Sequence, residues 1–118
     1  MTDVVVTGLG AVSACGQGAE ALWHAARQGQ TGVKPISFPT NDVQRVGHAA
    51  RLDEDLRAEI LEVHGNRMRD PVAAYALSAA KEAAAHAGLT EAEFGPRCGV
   101  SIGSGFGGGH TLDKNYRQ

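Results

Sequence analysis

The stretch Val4-Val5-Val6-Thr7-Gly8-Leu9-Gly10-Ala11-Val12-Ser13 sets the tightest limit on what this chain can fold into. Three consecutive β-branched valines favour extended backbone, and an unbroken apolar run fits a strand buried on both faces, as central parallel strands are. Gly8 and Gly10 then allow a sharp turn, or an approach to a neighbour that a Cβ would block. Helical spacing follows. Strand, glycine turn and helix together predict an α/β fold whose sheet is mainly parallel and joined by right-handed crossovers.

Further along, Ala19 to Arg27 has helical spacing with Ala19, Leu22, Trp23 and Ala26 on one face, and Gly29 stands where a left-handed residue would end it. Residues 30–44 contain Gly32, Pro35 and Pro39 and read as an irregular connection with a short extended piece near Ile36. Arg45 to Ala50 reads as a strand on the strength of Val46. Asp53 to His64 is a helix with an apolar stripe of Leu52, Leu56, Ile60 and Val63, acidic residues at its positive end, and Gly65 to close it. The next helix has Asp70 as cap, Pro71 in first position and Gly88 at its end, with nine alanines between. So little side-chain bulk lets it approach a neighbour closely, which predicts a buried layer. Thr90 with Glu93 is a capping box for one more turn. Cys98 to Ile102 reads as a second buried strand, followed by the glycine run 103–109 and a tail that begins to look helical at His110.

The totals exclude several classes. Net charge is −2, so no basic field calls for nucleic acid or an anionic membrane. No apolar run approaches the roughly 18 residues of a spanning helix, and no charged segment leads into a long apolar one as in a secretory signal. Cys15 and Cys98 form no C-x-x-C pair, and two free thiols fit a reducing, cytoplasmic setting. With 118 residues, the chain offers two good strands and one or two weaker ones. A sheet that thin leaves apolar edges open. The expectation is an incomplete domain, residues 1–118 forming the front of a larger fold.

Within the chain no catalytic constellation is complete. Gly8-Leu9-Gly10 invites a dinucleotide reading, yet Ser13 stands where the third glycine belongs and no second strand leads to an acidic residue. Close packing of the turn is the plainer reading. The run Gly103–Gly109 has no Lys-Ser or Lys-Thr after it and is not a phosphate loop. Phe106 within it is either a structural anchor or the wall of a ligand pocket. Cys15 has no histidine or basic residue fixed beside it, which favours a small packed thiol over a nucleophile, and Cys98 reads as core. His24, His48, His64, His86 and His110 are scattered without metal-ligand spacing. Ser13, Ser78, Ser101 and Ser104 lack the setting of a nucleophile elbow.

Four blocks carry a resemblance. Residues 4–13 followed by Gly16 and Leu22-Trp23, then Gly32 and the strand near Val46, then Arg67-Met68 leading into the alanine helix, then Gly99-Val100-Ser101-Ile102-Gly103-Ser104-Gly105-Phe106-Gly107-Gly108, resemble in that order the opening of β-ketoacyl-acyl carrier protein synthases of the thiolase superfamily. The resemblance implies a five-layered αβαβα fold of two similar halves, usually a homodimer. It implies decarboxylative Claisen condensation: a cysteine takes an acyl group from a carrier protein, and malonyl-carrier protein loses CO₂ to give the attacking carbanion. Substrates ride on the carrier protein's phosphopantetheine, so no cofactor of the chain's own is implied. The family's nucleophile and histidines belong downstream of Gln118, and neither Cys15 nor Cys98 lies in that motif. No catalytic and no metal residue is therefore carried over.

The resemblance does assign a substrate-binding segment, Phe106 with Gly105 and Gly107 beside it, where family members place a residue that gates the acyl pocket. A Phe in place of the smaller aliphatic of many members implies a shortened pocket or a polyketide-type member. The implied partners are acyl carrier protein and the rest of a ketosynthase, as homodimer or heterodimer. A rival reading is a non-catalytic partner similar to the chain-length factors that pair with ketosynthases. A third, a free-standing nucleotide-binding module, predicts saturable nucleotide binding. Residues 1–118 expressed alone are expected to aggregate or remain unfolded, because apolar strand edges lack cover. A cooperative thermal transition of a monomer, checked by light scattering and calorimetry, would contradict this.

Overall fold

A computed structural model describes residues 3–36, 47–64 and 70–117. In chain order they form β1 (Val12–Ser13), β2 (Gly16–Gln17), α1 (Ala19–Arg27), β3 (Val33–Pro35), β4 (His48–Ala50), α2 (Glu54–His64), α3 (Pro71–His86), a 3₁₀ turn (Glu91–Glu93) and α4 (Gly109–Tyr116). The result is a mixture of helices with two small antiparallel sheets. β1 pairs with β2 with Val12 opposite Gln17, and β3 pairs with β4 with Lys34 opposite Ala49.

The helix α3 organises the rest, and its ends are those its sequence prescribes. Asp70 accepts the Val72 N–H at 3.1 Å, and Pro71 needs no partner for a missing N–H. At the other end Gly88, with φ 69°, donates to Ala85 O, and Leu89 donates to Ala84 O at 2.9 Å. That pair of bonds is a Schellman motif. α1 closes in the same way at Gly29, φ 65°, with Gln30 N–H on Ala25 O. The expected Thr90–Glu93 capping box also forms, the Glu93 carboxylate accepting the Thr90 N–H at 2.7 Å.

Alanines let α3 approach backbone directly. A Cβ at Gly8 would strike Ala83 O and one at Gly10 would strike Ala79 O, so residues 8–10 lie on the helix with no side chain between. Ala74 is fully buried, Ser78 nearly so, and α2 packs against the same helix through the buried Ile60. The opposite side of α3, with Ala80, Lys81 and Ala85, faces solvent, so the expected buried layer is buried along one face.

A polar stripe completes the joint. Ser78, Glu82 and His86 succeed one another at four-residue spacing and so share one face of α3. The Ser78 hydroxyl accepts from Gln17 Nε2 at 3.2 Å, and His86 Nδ1 accepts the Leu9 N–H at 3.0 Å. The Glu82 carboxylate accepts two N–H groups, Ala11 at 2.9 Å and Ala19 at 2.8 Å. Gly18 precedes α1 and has no side chain to cap it, so a carboxylate from another helix serves α1's first turn.

Several expectations are corrected. Val4, Val5 and Val6 belong to no strand and are exposed, Val4 at 96%. The segment Cys98–Ile102 is likewise unpaired, with Val100 at 88%. A parallel strand draws its order from ladders on neighbouring strands and from layers over its faces. Among the described residues no segment supplies the ladder, and the two sheets that do form are antiparallel. Apolar sequence alone does not make a strand. The Cα radius of gyration agrees: 17.2 Å, against about 13.5 Å for a closely packed domain of this length.

In α1 the buried side chain is Ala25, while Leu22 and Trp23 on the apolar face are exposed. Small Ala21 and Ala25 let the helix settle on β2, where the Ala21 Cβ comes within 3.5 Å of the Cβ position of Gly16. In α2 the stripe follows Leu52, Leu56 and Ile60 but not Val63, which is exposed. The extended piece near Ile36 is β3, and β4 is the latter part of the expected strand at 45–50. Arg45, Val46, Pro39, the closure at Gly65 and Arg67-Met68 lie outside the described residues.

The two N–H donors hold the Glu82 carboxyl below its ordinary value of 4.5, most strongly the bond from Ala11 and then that from Ala19. A lowered folded-state value means a contribution to stability that is present above 4.5 and disappears as pH falls through the lower folded value. Glu82→Gln leaves one acceptor oxygen for two donors. In a soluble protein containing these residues the variant is expected to be less stable at neutral pH, with the difference from the parent shrinking as pH drops below 4.5. Denaturant unfolding across that range checks it, and a difference independent of pH contradicts it.

Candidate functional site

Five glycines among the seven residues 103–109 remove most side-chain cover from this loop and bring its backbone close to what it touches. The loop runs past the start of α3. A Cβ at Gly107 would lie 3.6 Å from Val72 Cγ1 and 2.5 Å from Ser104 Oγ. Gly105 has open space on its side, and Gly108, φ 89°, turns the chain into α4.

Phe106 stands at the crest. Its ring folds back against Gly109, where a Cβ would meet Cε1 at 2.9 Å, and 78% of the residue stays exposed. The structure therefore brings Gly105, Phe106 and Gly107 together as a small apolar projection beside the N-terminus of α3. The loop contains no ionisable side chain, so its chemistry is confined to apolar contact and to hydrogen bonds from its backbone and the Ser104 hydroxyl.

A concavity lies between α1 and residues 9–11. Leu9, Ala11, Leu22, Trp23, Ala26 and His86 line a cleft of about 460 Å³. The apolar face predicted for α1 borders this open cleft instead of a core.

Cys15 is half-buried, its N–H donating to Ser13 Oγ at 3.1 Å, and Cys98 is exposed with its thiol 3.4 Å from Glu93 O. Among the described residues no three His, Cys, Asp or Glu side chains converge as metal ligands, and no helix is long and apolar enough to cross a membrane.

Two polar groups carry more of the geometry than the sequence reading assigned them. Glu82 was visible only as one of the rare polar residues in an alanine helix, and the four-residue spacing Ser78, Glu82, His86 was the available sign. Asp70 was legible as a cap for α3, but its second oxygen accepts both the N–H and the hydroxyl of Thr111. Nothing local to either residue announces that pairing.

Over residues 1–118 the chain matches the family described as "Beta-ketoacyl synthase, N-terminal domain". It is 38% identical over 120 residues to a 3-oxoacyl-[acyl-carrier-protein] synthase 2 of Coxiella burnetii, covering 96% of this chain and 28% of that protein. To the 3-oxoacyl-[acyl-carrier-protein] synthase 2 of Staphylococcus aureus strain COL it is 33% identical, over 98% of this chain and 28% of the other. A Streptomyces rimosus protein provisionally named oxytetracycline polyketide β-ketoacyl synthase 1 is 34% identical over 96% of this chain and 27% of its own length. The chain thus spans a little over a quarter of these relatives. No solved structure matches at a significant level.

Proposed function

Because the chain belongs to the family of β-ketoacyl synthase N-terminal domains, we propose that it forms the front of the first thiolase-like half of a 3-oxoacyl-acyl carrier protein synthase. The match over the full 118 residues carries this reading. The whole protein would join an acyl group, taken from carrier protein onto a cysteine, to the carbanion left when malonyl-carrier protein loses CO₂. The cysteine and the two histidines of that reaction belong to the rest of the protein. Residues 4–6 and 98–102 become strands of a mainly parallel sheet once neighbours pair with them, which accounts for apolar segments that stand exposed here. The setting is cytoplasmic, the product a fatty acid or polyketide intermediate, and the assembly a homodimer or a ketosynthase heterodimer served by acyl carrier protein.

Within that reaction this chain contributes walls and positions. Gly105, Phe106 and Gly107 supply part of the acyl pocket, with the Phe106 ring limiting how far an acyl chain extends. An aromatic ring on a loop whose one other side chain is the small Ser104 can swing with little to clear, which suits a residue that must yield to substrate.

Replacing the matching segment of the Coxiella burnetii relative with residues 1–118 tests the assignment. The chimera is expected to condense acyl- and malonyl-carrier protein, and to retain activity in Cys15→Ser and Cys98→Ser forms. A folded but inactive chimera contradicts the reading and favours a non-catalytic partner. In the active chimera Phe106→Ala is expected to raise kcat/KM for longer relative to shorter acyl donors by about tenfold, the lower end of what one methylene is worth in an apolar pocket. Identical chain-length profiles remove the role given to Phe106.

A further inference from the structure

A loop so rich in glycine has little conformational preference of its own, so something outside it must fix where Phe106 stands. Even a Cβ at Gly107 would reach Val72 only at ordinary contact distance, and Val72 is itself partly exposed, so the loop's own atoms give it little hold on α3. The directional contact lies just beyond the loop. Asp70 Oδ2 accepts the Thr111 N–H at 3.1 Å and the Thr111 hydroxyl at 2.9 Å, while Oδ1 accepts the Val72 N–H at 3.1 Å. One carboxylate thereby ties the first turns of α3 and α4 together. Gly108 cannot cap α4 with a side chain, and the Leu112 N–H closes the first turn on Gly108 O at 2.9 Å. Gly109, on which the Phe106 ring rests, is the first residue of that helix.

We propose that Asp70 and Thr111 form a latch that holds the Phe106 loop against α3, making both of them positioning residues for the acyl-length limit. The proposal rests on the role given to Phe106 above. It deepens that role by naming what keeps the ring in place: displace α4 from Asp70, and Gly109 and the ring on it move together. Thr111 is the cleaner residue to change, since Asp70 also caps α3.

Thr111→Val keeps the shape and the N–H bond but loses the hydroxyl bond, and Thr111→Ser keeps the hydroxyl. Both are compared in the chimera, alone and with Phe106→Ala. Amide exchange over residues 104–112 is expected to quicken roughly tenfold in Thr111→Val, the scale of one charge-assisted hydrogen bond, and to be restored in Thr111→Ser. The chain-length ratio of Thr111→Val should move toward that of Phe106→Ala, and the two changes together should shift it no further than Phe106→Ala alone. Unchanged exchange over 104–112 overturns the latch. An unchanged ratio in Thr111→Val, where Phe106→Ala has shifted it, overturns its part in specificity. If Phe106→Ala leaves the ratio unchanged, the pocket role fails and the specificity role of the latch falls with it, while exchange, which involves no substrate, still decides whether the latch exists.

Discussion

Backbone-to-backbone contact between the segment Gly8–Gly10 and the alanine helix α3 is the constraint on which the structure depends. Cβ atoms at those two glycines would collide with the carbonyl oxygens of Ala83 and Ala79, atoms that belong to the helix ladder and cannot rotate away. Packed interiors absorb an added methyl group poorly, at a cost of about 1–3 kcal/mol. Glycine on one side and alanine on the other therefore act as one unit. The small side chains of α3 are required along this contact because Gly8 and Gly10 meet the helix's own backbone oxygens directly.

Such closeness creates a polar problem, since backbone pressed onto a helix has N–H groups that point toward it. The stripe Ser78, Glu82 and His86 resolves it by placing one acceptor per helical turn under the incoming segment. Glu82 does the most, satisfying donors on both sides of the β1–β2 hairpin and supplying a negative charge at the start of α1. A carboxylate that accepts two backbone N–H bonds is held ionised, and the lowered pKa is a consequence of that geometry, not a separate feature. Asp70 works in the same manner at the opposite end of α3, where it joins α4 to the first turn.

What could be read from the sequence follows from the range of the forces involved. The ends of α1 and α3 and the Thr90–Glu93 box were legible because each is decided by residues within four or five positions. The strands at 4–6 and 98–102 were inferred from apolar composition, but pairing needs partners that the described residues do not contain. The apolar spacing of α1 marks a face but not what covers it: Ala25 is small enough to be buried where the helix meets its neighbours, and Trp23 stays exposed. Phe106 stood out as the lone aromatic in a glycine run, whereas its tether through Thr111 joins residues 41 positions apart and leaves no local trace.

The contact at Gly8 and Gly10 also shapes how this region can change over generations. Most crowded sites in proteins are relieved by shrinking a neighbouring side chain, so second-site suppressors usually map to the opposing residue. Here the opposing atoms are peptide oxygens, which every amino acid carries alike, and trimming Ala79 or Ala83 to glycine would not remove them. A bulky replacement at either glycine could be rescued only by a change that slides or tilts α3 as a whole. Genetic suppressors are thus to be sought far from the injury, at the ends of that helix.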